Sequence, residues 1–281
     1  MFTLKAPAKI NLTLEVLRRR PDGYHEICSV LQSIDLYDTI SFNKSEDITI
    51  ACDISAWSTE KSQVFKAVTL LQEYDRIKKG VKIQIKKLIP FRAGLGGDSS
   101  DAAAALRGLN DLWKLALSEE KLLILAARLG SDTPFFIHGG TAYVSGRGEI
   151  ITSLQPLPPM WVVLVVPNIP VASGKTARMY ASLKQSHFTD GSITQRLVNT
   201  LHKSGKLDSS LLFNTFENIA FDIYPGLNVY KEHLIKLGAP CVHLAGSGPT
   251  LFVIFSDKYH AEDVCARCKK QGMKSFLAAT Q

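Results

Sequence analysis

The sequence predicts an α+β protein built as two lobes. Short strand-like runs alternate with helical spacings, but without the regular strand-helix-strand rhythm of a doubly wound parallel sheet. At 281 residues, 46% hydrophobic and 21% charged, the chain is long enough to bury about 75% of its extended surface, so neither disulfides nor a structural metal is required. The clearest composition break is Gln155-Pro156-Leu157-Pro158-Pro159, where proline pins the backbone and removes ladder donors. It sets the expected lobes at 1–155 and 156–281.

The elements follow in order. Lys9 to Val16 alternates strictly, with Ile10, Leu12, Leu14 and Val16 on one face and Lys9, Asn11, Thr13 and Glu15 on the other, the pattern of a half-buried strand with a polar working face. Strand-like runs follow at 26–36, 39–43, 47–51 and 81–88, and 62–74 has helical spacing through Val64, Ala67, Val68 and Leu71. Trp161–Val166 and Leu251–Phe255 read as buried strands, with helical spacing at 173–184, 192–203, 207–221 and 226–237.

The longest apolar run, Met160 to Val166, is far short of the roughly 20 residues needed to cross a bilayer. The opening MFTLKAPAK has neither an apolar targeting core nor a transit composition, so a soluble, cytoplasmic protein without membrane partners is expected. Five cysteines, an odd number in a large chain, point to reduced thiols. Cys265 and Cys268 are expected on a surface helix, since no second pair or histidine stands at zinc spacing. A formal net charge of +7 suits a polyphosphate ligand. The basic clusters are short and not interleaved with aromatics, so no nucleic-acid partner is expected.

The segment Pro90-Phe91-Arg92-Ala93-Gly94-Leu95-Gly96-Gly97-Asp98-Ser99-Ser100 runs into the alanine-rich stretch Ala102 to Ala105. It is a glycine loop feeding a helix. The glycines permit positive φ and close approach of a ligand, with Ser99 or Ser100 as helix cap and the first free N–H groups favouring an anion. The alternative is a tight strand-to-helix turn. Better-known phosphate loops fail on spacing: Ile169 stands where a P-loop ending at Gly174-Lys175-Thr176 needs glycine, and the last glycine of GxGxxG is missing. No protein-kinase triplet is present, and no G-x-S-x-G elbow supports a serine hydrolase.

This loop resembles the ATP signature of the galactokinase, homoserine kinase, mevalonate kinase and phosphomevalonate kinase (GHMP) superfamily. Three further segments, Pro7-Ala8-Lys9-Ile10-Asn11-Leu12, Arg20-Pro21-Asp22-Gly23-Tyr24-His25-Glu26 and Gly130-Ser131-Asp132-Thr133-Pro134-Phe135-Phe136, are similar to the 4-diphosphocytidyl-2-C-methyl-D-erythritol kinases within it. The similarity is collinear over nearly the whole chain, and Ala245-Gly246-Ser247-Gly248-Pro249 resembles the superfamily's third motif.

The resemblance implies a two-lobed GHMP-kinase-like fold with the active site in a cleft, and transfer of the ATP γ-phosphoryl group, with Mg²⁺, to a hydroxyl of cytidine diphosphate methylerythritol. It assigns Asp132 as catalytic base and Lys9 as the group holding Asp132 and the reacting hydroxyl. On residue chemistry alone, Asp132 serves equally as an N-cap before Pro134, and Lys9 as a solvated strand lysine. The resemblance places ATP on Pro90, Arg92, Ala93, Gly94, Leu95, Gly96, Gly97, Asp98, Ser99 and Ser100, with Lys87 and Ser62 near the adenine. It places the second substrate on Asn11, Tyr24, His25, Gly246, Ser247 and Gly248, and leaves the metal ligands open. Another GHMP small-molecule kinase and a catalytically weak nucleotide-binding relative remain as alternatives, as do a monomer and a homodimer.

Two positions depart from the family pattern. Asp98 stands where a third consecutive glycine is usual, putting a carboxylate in a loop meant for polyphosphate, so it must point away, meet a cation or weaken ATP binding. Ser62 replaces an asparagine that contacts the adenine, losing the amide's paired donor and acceptor, which relaxes the expected base discrimination.

Overall fold

The computed structural model describes residues 1–55, 57–75 and 78–281. The chain opens with β1 (Phe2–Arg19), β2 (His25–Ser45), β3 (Ile48–Cys52), α1 (Gln63–Asp75) and β4 (Gly80–Lys86). Next come α2 (Gly97–Trp113), α3 (Glu119–Leu129), α4 (Phe135–His138), β5 (Thr141–Ser145), β6 (Ile150–Ser153) and β7 (Trp161–Val166). The rest comprises α5 (Lys175–Ala181), α6 (Ser192–Ser204), β8 (Phe213–Asn214), α7 (Glu217–Ile223), α8 (Leu227–Lys236), β9 (His243–Leu244), β10 (Leu251–Phe255), α9 (Lys258–Lys270) and β11 (Lys274–Ala279). The architecture is α+β, as the sequence predicts. No helix among the described residues is long and apolar enough to cross a membrane.

Two compact units form, and neither is a continuous stretch of chain. The first gathers Met1–Ala8, Leu36–Phe91 and Gly96–Gly139; the second gathers Lys9–Asp35, Arg92–Leu95 and Gly140–Gln281. The proline-rich stretch 155–159 therefore lies inside the second unit.

In the first unit β3 pairs parallel to β4, and β4 antiparallel to the Thr39–Ser45 half of β2. Phe42, fully buried, stacks on Phe2 with ring centroids 5.2 Å apart. Gly108 of α2 packs against the same ring so closely that a Cβ there would lie 2.5 Å from it. The buried Ala102 to Ala105 run lets α2 pack closely while favouring helix. α3 is started by Ser118, whose hydroxyl accepts from the Lys121 amide, and carries Glu119 and Glu120 in its first turn and Arg128 in its last, matching the helix dipole at both ends.

In the second unit β2 pairs antiparallel to β5 through Ser29–Gln32, and β5 to β6. A separate antiparallel sheet has the order β11-β7-β10-β9. The central residues of β7 and all of β10 are buried, as their continuous apolar runs predict.

Five expectations need correction. The runs 26–36 and 39–43 are one strand, β2. β1 extends well beyond 9–16, and its polar face is enclosed: Lys9, Asn11, Thr13 and Glu15 are all at most 5% exposed, because side-chain hydrogen bonds replace water there. No helix fills 207–221. A single 3-10 turn at Ser209–Leu211, β8 and α7 occupy it, because Thr215 N–H bonds Leu14 O at 2.8 Å and Asn214 reaches Leu244 and Gly246, so tertiary bonds override local spacing. Cys265 and Cys268 lie on α9 but face inward, buried with Ala261 and Val264; all five thiols are free. Neither Ser99 nor Ser100 caps α2. The cap position is Gly96 at φ 75° without a side-chain bond.

Candidate active site

The glycine loop is shared between the units, with Arg92–Leu95 in the second and Gly96 onward in the first. Arg92 has φ 55° and Gly94 φ 90°. A Cβ on Gly94 would lie 2.2 Å from the Ala245 carbonyl oxygen and 3.0 Å from that of Gly248. Glycine is required there because two main chains meet, with Thr250 N–H bonding the Ala93 carbonyl at 3.3 Å beside them. Leu95 and Ala93 are buried, so over residues 93–97 the loop presents main chain rather than side chains.

Lys9 and Asn11 lie against this junction in the second unit. The Lys9 ammonium donates to Asn11 Oδ1 at 2.7 Å and its backbone N–H to Leu95 O at 2.9 Å. Gly246, at φ 54°, leaves room for both: a Cβ would stand 3.2 Å from Lys9 Nζ and 3.4 Å from Asn11 Oδ1. The solvated-lysine reading of Lys9 fails, since the residue is 4% exposed. The Gly246–Gly248 loop is held by Asn214 Nδ2, which donates to Leu244 O and Gly246 O at 2.8 Å each, and by Tyr224 OH, which donates to Ser247 O at 2.8 Å. Lys175 donates to Ser247 Oγ at 2.9 Å and to Gly248 O, with Thr176 Oγ1 3.0 Å from the same hydroxyl. Asn214, Lys175 and Thr176 carry no sequence signal of this role, because their partners lie 30 or more residues away.

Behind this loop, Glu217 Oε1 accepts from Leu244 N–H and stands 3.3 Å from His243 Nδ1. Burial alone would lower the His243 pKa, but hydrogen bonds to Cys241 and Glu217 outweigh it and raise it to about 9. A folded-state value above the unfolded 6.5 favours the native state fully below pH 6.5, and the gain disappears as pH rises through about 9. Thermal unfolding should therefore show a Tm decline between these limits that His243→Gln removes; an identical decline in the variant would contradict the assignment.

Tyr24 follows the Pro21-Asp22-Gly23 turn, is 51% exposed, and lies beneath the Arg147 guanidinium, 4.8 Å from its ring centroid. His25 stacks on Tyr180 at 5.0 Å and meets Phe188 edge-on at 5.9 Å. Burial, and then the charge of Arg19, lower the His25 pKa, leaving a neutral ring at neutral pH that donates from one nitrogen and accepts at the other. Tyr180 and Arg147 join this aromatic cluster from α5 and the β5–β6 turn, positions that no sequence motif marks.

In the first unit Lys87, expected near the adenine, is enclosed. Its ammonium, with the side chain 1% exposed, ion-pairs with Asp38 at 2.5 Å and Asp101 at 2.6 Å. Burial opposes the ammonium, but the two carboxylates outweigh it and raise its pKa; burial drives the Asp101 carboxyl up against the pull of Lys87. Lys87 thus anchors the first turns of α2. Gly97 packs against Ile89, where a Cβ would stand 3.1 Å from Ile89 Cγ2. Asp98 lies in the same first turn, half-exposed, 3.9 Å from the Lys87 ammonium, so it meets a cation, one of the three outcomes expected. Ser62 Oγ donates to Thr59 O at 2.7 Å and accepts from Phe65 N–H at 3.0 Å, committing its hydroxyl to the start of α1. Asp132 is partly exposed ahead of α4. The cap position of α4 falls at Pro134, two residues after Asp132.

Residues 62–140 match the GHMP kinases N terminal domain and 195–274 the GHMP kinases C terminal region. The chain is 46% identical over 280 residues to a 4-diphosphocytidyl-2-C-methyl-D-erythritol kinase of Dehalococcoides mccartyi, covering 100% of this chain and 98% of that protein. It is 41% identical over 251 residues to the Bacillus subtilis protein of the same name, covering 88% and 86%. A crystal structure of 4-(cytidine 5'-diphospho)-2C-methyl-D-erythritol kinase matches with a TM-score of 0.83 at 29% identity over 99% of each chain. L. major mevalonate kinase, at 17% identity and a TM-score of 0.76 over 100% and 96% of the chains, shares the fold. Identity of this extent, with both GHMP regions in sequence order, means that the chain belongs to the 4-diphosphocytidyl-2-C-methyl-D-erythritol kinase family of the GHMP kinases.

Proposed function

We propose that the chain transfers the γ-phosphoryl group of ATP to the 2-hydroxyl of 4-diphosphocytidyl-2-C-methyl-D-erythritol, giving the 2-phosphate and ADP in the non-mevalonate isoprenoid pathway. The observation that carries this reading is the 46% identity over the whole chain to a protein of that name, joined to the buried Lys9–Asn11 pair beneath Gly246. Phosphoryl transfer passes through a loose transition state, so catalysis is mostly positioning and charge stabilisation. The Lys9 ammonium, fixed by Asn11, holds the acceptor oxygen and offsets its developing charge. Asp132 accepts the hydroxyl proton as the general base. The glycine loop supplies main-chain N–H groups to the phosphates, with the start of α2 adding the favourable end of a helix dipole. Tyr24 and neutral His25 recognise the cytosine by stacking and ring-nitrogen hydrogen bonds.

Among the described residues no group of three or more His, Cys, Asp or Glu could hold a metal ion. Magnesium fits here as the counter-ion of the triphosphate, held by phosphate oxygens and water. It supplies neutralisation of phosphate charge. The cytoplasm, where ATP and reduced thiols coexist, is the proposed location.

Purified protein given the cytidylyl substrate, Mg²⁺ and ATP should release ADP in proportion to the phosphorylated product. Folded protein without turnover would reject the reading. Asp98→Gly tests the loop separately. A carboxylate about 5 Å from a phosphate repels it by roughly 3 kcal/mol at an effective dielectric of 20. Exposure and the neighbouring Lys87 ammonium reduce this, so ATP KM should fall by about tenfold. An unchanged or higher KM would show that Asp98 does not oppose the nucleotide.

A further inference from the structure

We infer that Ser29 is a positioning residue for the Lys9 ammonium and acts through the Asn11 amide; the inference rests on the phosphotransfer reading of Lys9. Ser29, on β2, is fully buried. Its hydroxyl donates to the Thr13 carbonyl oxygen and accepts from Asn11 Nδ2 at 2.9 Å. Asn11 Oδ1 in turn accepts from Lys9 Nζ at 2.7 Å.

The direction of this chain is set by chemistry. A carbonyl oxygen only accepts, so the single hydroxyl proton of Ser29 is committed to Thr13, and the hydroxyl faces Asn11 with lone pairs alone. Only the amide NH₂ can meet it. The amide oxygen is thereby turned to Lys9, which has only donors. Without Ser29 the amide loses the acceptor that holds its NH₂ side, and its oxygen is held by the Lys9 ammonium alone, so the pair loses one of the two bonds that fix its orientation. The strand below is locked independently, because Thr13 Oγ1 accepts from Val30 N–H at 3.0 Å and from Thr194 Oγ1 at 3.0 Å. Loss of Ser29 therefore alters orientation at Lys9 more than the backbone around it.

Misplacement of a reacting group by an ångström can cost roughly 100-fold in rate, and a partial reorientation here should lower kcat by about tenfold. The test measures kcat, the ATP KM and Tm for wild type, Ser29→Ala, Asn11→Ala and their combination, with Thr194→Val as a comparator for lost buried hydrogen bonding. Ser29→Ala should lower kcat with the ATP KM unchanged, add no further loss in the Asn11→Ala background, and exceed Thr194→Val in kcat effect at similar Tm loss. Wild-type kcat in Ser29→Ala, or losses that add in the combination, would overturn the inference. Absence of turnover in wild type would reject the proposed reaction instead. Hydrogen exchange of the Asn11 side-chain amide by NMR then decides the positioning role: protected in wild type and fast in Ser29→Ala supports it, and unchanged protection refutes it.

Discussion

Asp132→Asn should lower kcat by roughly 10²- to 10⁴-fold, the usual contribution of a general base, while leaving ATP binding and Tm close to wild type. Asparagine keeps the shape of aspartate but cannot take up the hydroxyl proton. The cap position of α4 falls at Pro134, and asparagine is isosteric with aspartate, so Tm read beside turnover separates stability from chemistry. Steady-state turnover with saturating substrates, alongside titration of a fluorescent ATP analogue, reads the two effects apart. Near-normal turnover would place the base elsewhere; lost nucleotide binding would make Asp132 a binding residue.

Gly94→Ala should abolish activity through structure. The substitution meets two costs at once. Alanine pays about 1–2 kcal/mol in left-handed backbone, and its Cβ would lie 2.2 Å from a main-chain oxygen of Ala245, which cannot rotate away as a side chain would. The neighbouring loop must move, and with it the Gly246 turn that packs on Lys9 and Asn11. A destabilisation of about 3 kcal/mol or more is expected by chemical denaturation. Gly174→Ala is the matched control. It has φ 71° but nothing within 4 Å of the added carbon, so only the backbone term of about 1 kcal/mol remains. Equal losses in both variants would remove the steric argument for Gly94.

The two substitutions divide the site's signals by origin. At Asp132 residue chemistry alone offered a cap and a base as equals; the cap position of α4 falls at Pro134, and the turnover of Asp132→Asn tests the base. At Gly94 the spacing correctly demanded glycine, but as a cradle for phosphate. The structure adds that the glycine is required by another stretch of main chain, some 150 residues further along. Lys87 shows a different case: the resemblance places it near the adenine, and the structure adds that its ammonium is enclosed by Asp38 and Asp101, partners that local pattern does not pair with it.

What the sequence by itself determined is the α+β class, the strands β7 and β10 from their unbroken apolar runs, the glycine loop entering a helix, and the motifs at Lys9, Tyr24-His25 and Asp132. These are local signals, carried by periodicity and by residue types at short spacing. Tertiary structure alone decided the burial of the polar face of β1, the conversion of 207–221 into a turn, a short strand and a short helix, the inward thiols of α9, and the hydrogen-bond partners of Ser29, Asn214 and Lys175. The physical reason is common to all of them. A buried polar atom takes whichever partner the folded chain brings within about 3 Å, and for these residues that partner is supplied by the packing of segments distant in sequence.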